Sequence, residues 1–197
     1  TSLDLSKLDL SKVKSMEKAF KDCNSLENFT TGTQSIGSLN RVSWAFGDCS
    51  KLTSINISTW DFSNTTGFEY MFHGCTSLSS IIGMDSINIS SATNITYMFN
   101  GCSLPIIDTR NWTLPSTTIS MNNFANSQNN CREVHMTLNG NYWAMFHQFR
   151  ASSAGCKFYF HNCTMQISSY AFPAQGGTKD YQIEFDNCVI TAMDAEK

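Results

Sequence analysis

The chain has 197 residues, 41% of them hydrophobic and only 15% charged, with a formal net charge of -3. One domain with a sizeable core is the default at this length. The slightly acidic balance and scattered Lys and Arg exclude the electrostatic footprint of a general nucleic-acid binder, and no run of 18 apolar residues offers a membrane span.

The chain opens with TSLDLSKLDLS, already inside a repeat, with no initiator Met and no signal-peptide shape. It reads as the processed or truncated form of something longer. Its starting rung is an edge that upstream repeats or another subunit would cover.

Four matching segments follow: AFKDCNSLENF (19–29), AFGDCSKLTSI (45–55), MFHGCTSLSSI (71–81) and MFNGCSLPII (98–107). Phe20, Phe46, Phe72, Phe99 and Phe124 recur with a nearly constant spacing, and Cys23, Cys49, Cys75 and Cys102 keep step. Leu26, Leu52 and Leu78 stand at one fixed offset beyond their Cys, and Leu104 one position closer. A period of ~26 residues marks a solenoid, whose units cannot bury their apolar face alone and must stack. These residues are the expected repeat core, the successive inward corners of each coil.

With Phe as origin, apolar residues at positions -4, -1 and 0 (Phe68, Met71, Phe72; Ile95, Met98, Phe99) predict a short helical turn. Gly47, Gly74 and Gly101 follow as its expected terminators. Alternating pieces such as Ile55-Asn56-Ile57 predict a strand about one rung long. The expected fold is therefore an α/β solenoid of the leucine-rich-repeat type, stacking ~26-residue units of short helix, turn and short parallel strand.

Residues 1–107 hold about four regular units, and 108–197 divergent repeats and a C-terminal cap of the same solenoid. The fifth unit keeps Phe124 but has Ser127 where Cys is due. Phe146 and Phe172 continue more loosely, and KFYFHNC and QIEFDNC align Phe160 with Phe185 and Asn162 with Asn187.

The units AFGDCSKLTSI and MFHGCTSLSSI, together with INISTWDFSNTTGFEYMFHGC, resemble the 26-residue repeat of bacterial surface proteins, the BspA-like leucine-rich repeat group. The resemblance is specific over about residues 8 to 107 and loose beyond. It implies a non-enzymatic module on or outside a bacterial cell, used in adhesion and protein binding. It brings no catalytic residue and no cofactor.

Eight Cys invite a disulfide framework. Aligned Cys on adjacent rungs, however, would stand ~4.8 Å apart with parallel side chains, whereas a bridge wants Cβ atoms about 3.8 Å apart. Buried free thiols are expected, with one bridge in the irregular half as the alternative. Cys156 and Cys163 cannot pair if the residues between them are a strand. His73-x-Cys75 and His161-x-Cys163 look like ligand pairs, but lie several rungs apart with only His135 and His147 besides, so no metal site is expected. Seven Asn-x-Ser/Thr sequons (Asn28, Asn56, Asn64, Asn88, Asn94, Asn111, Asn162) arise by chance in so Asn-rich a chain; they matter only in a eukaryote, and the bacterial surface repeat that the resemblance implies would carry no glycan. No GxSxG, paired-carboxylate or P-loop arrangement points to an enzyme.

The functional candidate comes from register. Two residues before each Phe, opposite the buried face, stand Lys18, Trp44, Tyr70, Tyr97, Asn122, Ala144 and Tyr170. Trp44, Tyr70 and Tyr97 predict a solvent-facing aromatic column on three consecutive rungs, with Tyr170 further on. Such a column marks a protein contact or a platform for sugar rings, or merely covers the seams between rungs. A second column, Trp60, Ile87 and Trp112, reads as a buried corner. The outward strand positions Thr53, Asn56, Ser79 and Ser80 offer hydrogen bonds but no anchor. Three functions compete: an adhesion module with a protein partner, a structural spacer or fibre element, and a glycan-recognising module like a phage tail fibre.

Overall fold

The structure is a computed structural model that describes residues 1–117, 119–121, 124–125, 131–137, 139–141, 157–167 and 182–192. The chain winds as a parallel β-solenoid. Each of the first rungs contributes one three-residue strand: β1 (Ser2–Asp4), β2 (Asn28–Thr30), β3 (Ser54–Asn56) and β4 (Ser80–Ile82), paired in that order. Ser2 faces Asn28, Leu3 faces Phe29, and Ile55 faces Ile81, so the sequence period is the strand register itself. The middle residue of β2, β3 and β4 points inward and its neighbours outward, as a period of two requires.

From β5 (Ile106–Asp108) the sheet restarts and the strands lengthen. It continues through β6 (Glu133–Met136), β8 (Lys157–His161) and β10 (Gln182–Asp186). The divergent half also carries a second parallel sheet of β7 (Asn139–Asn141), β9 (Thr164–Ile167) and β11 (Val189–Ala192). Phe160 pairs with Phe185, as their alignment predicts, and the Asn187 side-chain Nδ2 donates to the Asn162 side-chain Oδ1 at 2.7 Å.

The expected short helix is absent. The only helix among the described residues is one 3₁₀ turn, Met84–Ser86. The segment around each Phe is a run of consecutive turns in which N–H groups alternate between two destinations. Those of Ala45, Gly47 and Cys49 donate three residues back within the rung, while those of Trp44, Phe46 and Asp48 donate to Glu69, Met71 and His73 of the next rung. An α-helix would direct its N–H groups beyond the first turn to carbonyls of its own segment. Here half are spent on stacking, so the helix is traded for cohesion between rungs. The inward positions are the same in either geometry: Phe68, Met71 and Phe72 are fully buried, as are Val42, Ala45 and Phe46.

Two residues per unit adopt left-handed backbone to make the alternation possible, at -2 and +2 from the Phe: Lys18 and Asp22, Trp44 and Asp48, Tyr70 and Gly74, Tyr97 and Gly101. Glycine thus serves the turn at 74 and 101. Gly47 has a different task, because the Trp44 indole lies against it and leaves no room for a Cβ.

The interior is one continuous cluster. Phe46, Cys49, Leu52, Phe72, Cys75, Leu78, Phe99, Cys102, Leu104 and Leu26 are buried, whereas Phe20 and Cys23 are half-buried. Each buried Phe or Leu contributes roughly 1.5 to 3 kcal/mol. Trp60, Ile87 and Trp112 form the expected buried corner. The Phe20, Phe46, Phe72 and Phe99 rings stack in line, with centroids 5.2, 5.8 and 6.0 Å apart.

Cys23, Cys49, Cys75, Cys102 and Cys188 are free thiols, and Cys156 lies outside the described residues. The Cys49, Cys75 and Cys102 thiols donate to the carbonyl oxygens of Phe20, Phe46 and Phe72, one rung back. Burial, aided by the neighbouring thiol, pushes Cys49 up to about 12 and raises Cys75 further. Burial also raises Cys102 strongly. These thiols are packing groups, not nucleophiles.

Candidate functional site

Trp44, Tyr70 and Tyr97 do form a column, but not a freely solvent-facing one. Trp44 and Tyr70 stack with centroids 4.2 Å apart and planes 6° apart, and Tyr70 and Tyr97 with 4.7 Å and 6°. All three are half-buried, since each ring covers its neighbour's face. The register reading found the column. It missed the mutual stacking, which follows from rungs lying close to one ring thickness plus clearance apart.

The column has fixed surroundings. Lys21 places its ammonium 4.8 Å from the Trp44 ring centroid, a cation–π contact at one end. The His73 imidazole stands edge-on to all three rings, 5.4 Å from Trp44 and Tyr70 and 6.0 Å from Tyr97. Its Nδ1 is buried without a hydrogen-bond partner. Beside the column, Arg41 links Glu17 at 3.3 Å and Glu69 at 3.4 Å on the rungs before and after its own. Burial raises the Tyr70 phenol, with the Tyr97 phenol and Glu69 adding to it, so its hydroxyl remains a neutral donor near pH 7. Lys18 heads the register but is exposed and carries no ring, while Tyr170, Asn122 and Ala144 lie outside the described residues.

The ligand-like pairs separate: Cys75 and Cys163 point into the core, His73 sits among aromatic rings, and His161 reaches across to His135 at 3.2 Å. Among the described residues no set of three or more His, Cys, Asp or Glu converges as a metal site.

Some sequons have a structural role that composition does not reveal. Those at Asn56, Asn88 and Asn94 are turns in which the Asn side-chain oxygen accepts the N–H two residues on. Asp4, Asp9 and Asp61 do the same before Ser6, Ser11 and Ser63. The recurring Asp/Asn-x-Ser/Thr marks these corners of the coil.

Comparison with known proteins brings one family. A family model described as "Mycoplasma protein of unknown function, DUF285" matches residues 1–112 and again 31–137. The chain belongs to this family. No curated protein and no solved structure matches it. The overlapping DUF285 matches span the regular rungs and reach into β6, so the aromatic column lies wholly inside the family's own repeat. The family description assigns no activity.

Proposed function

We propose that this DUF285 chain is a non-enzymatic, extracellular or cell-surface module that binds a protein partner along the Trp44–Tyr70–Tyr97 column. The observation that carries the reading is the backbone under the column. Trp44, Tyr70 and Tyr97 have φ of 59°, 59° and 58°, a left-handed conformation that costs a bulky residue about 1–2 kcal/mol and that Gly would adopt without penalty. The turn imposes this backbone on each rung, Lys18 included, and three consecutive rungs fill the position with an aromatic ring rather than glycine, in one line at the surface. Trp and Tyr are the residues that most often anchor interfaces, and a rigid column loses little entropy on binding.

The resemblance to BspA-like leucine-rich repeats supports the placement outside a bacterial cell and the adhesive role. The geometry favours a protein over a sugar. Both faces of Tyr70 are occupied by Trp44 and Tyr97, so no ring face there is open to stack on a pyranose, while ring edges and hydroxyls remain. No helix among the described residues is long and apolar enough to cross a membrane.

The test is a binding panel of purified host-matrix proteins and a glycan array, with the chain's size in solution measured alongside. Saturable binding to a protein by a monomer supports the proposal. Glycan hits alone favour the sugar-binding alternative, and concentration-dependent end-to-end chains favour the spacer.

A further inference from the structure

We propose that His135 and His161 form a two-ligand site for a divalent late first-row transition ion, separate from the aromatic column. Parallel pairing of β6 with β8 sets His135 beside Tyr159, so His161, two residues on, shares the outer face with both. The Tyr159 ring lies flat against His135, with centroids 4.5 Å apart and planes 7° apart, which holds the imidazole upright. The two imidazoles then face each other edge to edge, planes 10° apart, with His135 Nδ1 3.2 Å from His161 Nε2.

The outer nitrogens decide what the inner ones are. His135 Nε2 lies 3.2 Å from a Glu133 carboxylate oxygen, and His161 Nδ1 lies 3.4 Å from one of Asp186. Carboxylates only accept hydrogen bonds, so each imidazole gives its N–H outward and turns its lone pair inward. Two lone pairs left facing at this separation repel each other unless a proton or a metal cation lies between them. Two nitrogens bound to one ion at ~2.05 Å and a tetrahedral angle stand about 3.3 Å apart. In-plane rocking of the two rings aims both lone pairs at that point.

The carboxylate–imidazole–ion arrangement is the one that fixes tautomer and raises ligand basicity at bound metals. Nitrogen donors select Zn²⁺, Ni²⁺ or Cu²⁺ over Mg²⁺ and Ca²⁺. The charges around the site are Glu133, Asp186, Glu184 and Lys157, with Asp108 already neutralised by Arg110 at 2.6 Å, leaving a surplus of acid that suits a cation. The imidazole side chains are 15% and 20% exposed, so water completes the coordination from the open side.

The experiment is calorimetric titration of the chelator-treated full chain with Zn²⁺ and with Ni²⁺, using Mg²⁺ as control. The expected result is one ion per chain for each transition metal and none for Mg²⁺. Binding should be abolished in His135→Asn and in His161→Asn, and weakened about tenfold in Asp186→Asn, a change at an exposed carboxylate. Thermal unfolding of each metal-free variant separates loss of the site from loss of the fold. Absence of Zn²⁺ and Ni²⁺ binding to the wild type overturns the proposal, because a hydrogen bond then explains the pair. So does binding that survives both His variants, which would place the ion elsewhere.

Discussion

The Trp44 indole lies face to face with the Tyr70 phenol, 4.2 Å away and within 6° of parallel, although a full repeat of chain separates them. The contact recurs between Tyr70 and Tyr97, so the Tyr70 ring is held from the rungs on both sides. Aromatic pairs of this kind contribute about 0.5–1.5 kcal/mol beyond the area they bury. A double-mutant cycle on Trp44→Ala and Tyr70→Ala, read by chemical unfolding, should return a coupling energy in that range. A coupling near zero would mean the rings are neighbours without mutual support.

The left-handed positions give a paired prediction. Asp48 at φ 63° occupies the register that Gly74 and Gly101 fill at 69° and 77°. Asp48→Gly should therefore be neutral or stabilising by up to about 1 kcal/mol. Gly74→Ala should cost about 1–2 kcal/mol, because its Cβ would meet the Asp48 carboxylate as well as the unfavourable φ. Midpoints of urea unfolding at constant slope decide both.

The two buried indoles differ in one hydrogen bond. Trp112 Nε1 donates to the Met84 carbonyl at 2.6 Å, whereas Trp60 Nε1 is buried with no partner. Trp112→Phe strands a buried carbonyl and should cost about 1–3 kcal/mol more than Trp60→Phe, which removes an unsatisfied donor. Equal losses in the two variants would show that Trp60 has a hydrogen-bond partner in solution.

The thiols set a limit at high pH. Cys49 titrates near 12 in the fold against an ordinary value of 9.0, and Cys75 and Cys102 are also raised, mainly by burial. The unfolded chain therefore releases these protons first. Stability is intact below about pH 9 and falls as pH rises toward 12, each thiol adding about 1.4 kcal/mol per pH unit to the slope. Replacing Cys75 with Ala should flatten the fall between pH 9 and 11 while lowering stability at pH 7. An unchanged slope would remove the thiols as the cause.

Phe46, Cys49, Leu52 and Ile55 were legible as inward corners because stacking makes the sequence period and the spatial period the same. The absent helix has a physical source. Buried residues at -4, -1 and 0 fit one helical turn, yet they fit consecutive three-residue turns equally well, and the destination of each N–H is invisible in side-chain pattern. The column at -2 was legible in place but not in exposure, since half-burial of Trp44 comes from Tyr70 on another rung. His135 beside His161 was hidden because the second half drifts from the regular period, so only strand pairing supplies their register.

The most direct measurement compares wild type with the Trp44→Ala/Tyr70→Ala/Tyr97→Ala variant across the protein panel, after both are shown to unfold cooperatively and to remain folded at the assay temperature. The account predicts that a protein hit seen with the wild type is lost in the variant while the solenoid persists. A hit of undiminished affinity in the folded variant would contradict it, and would leave the column as a seam between rungs.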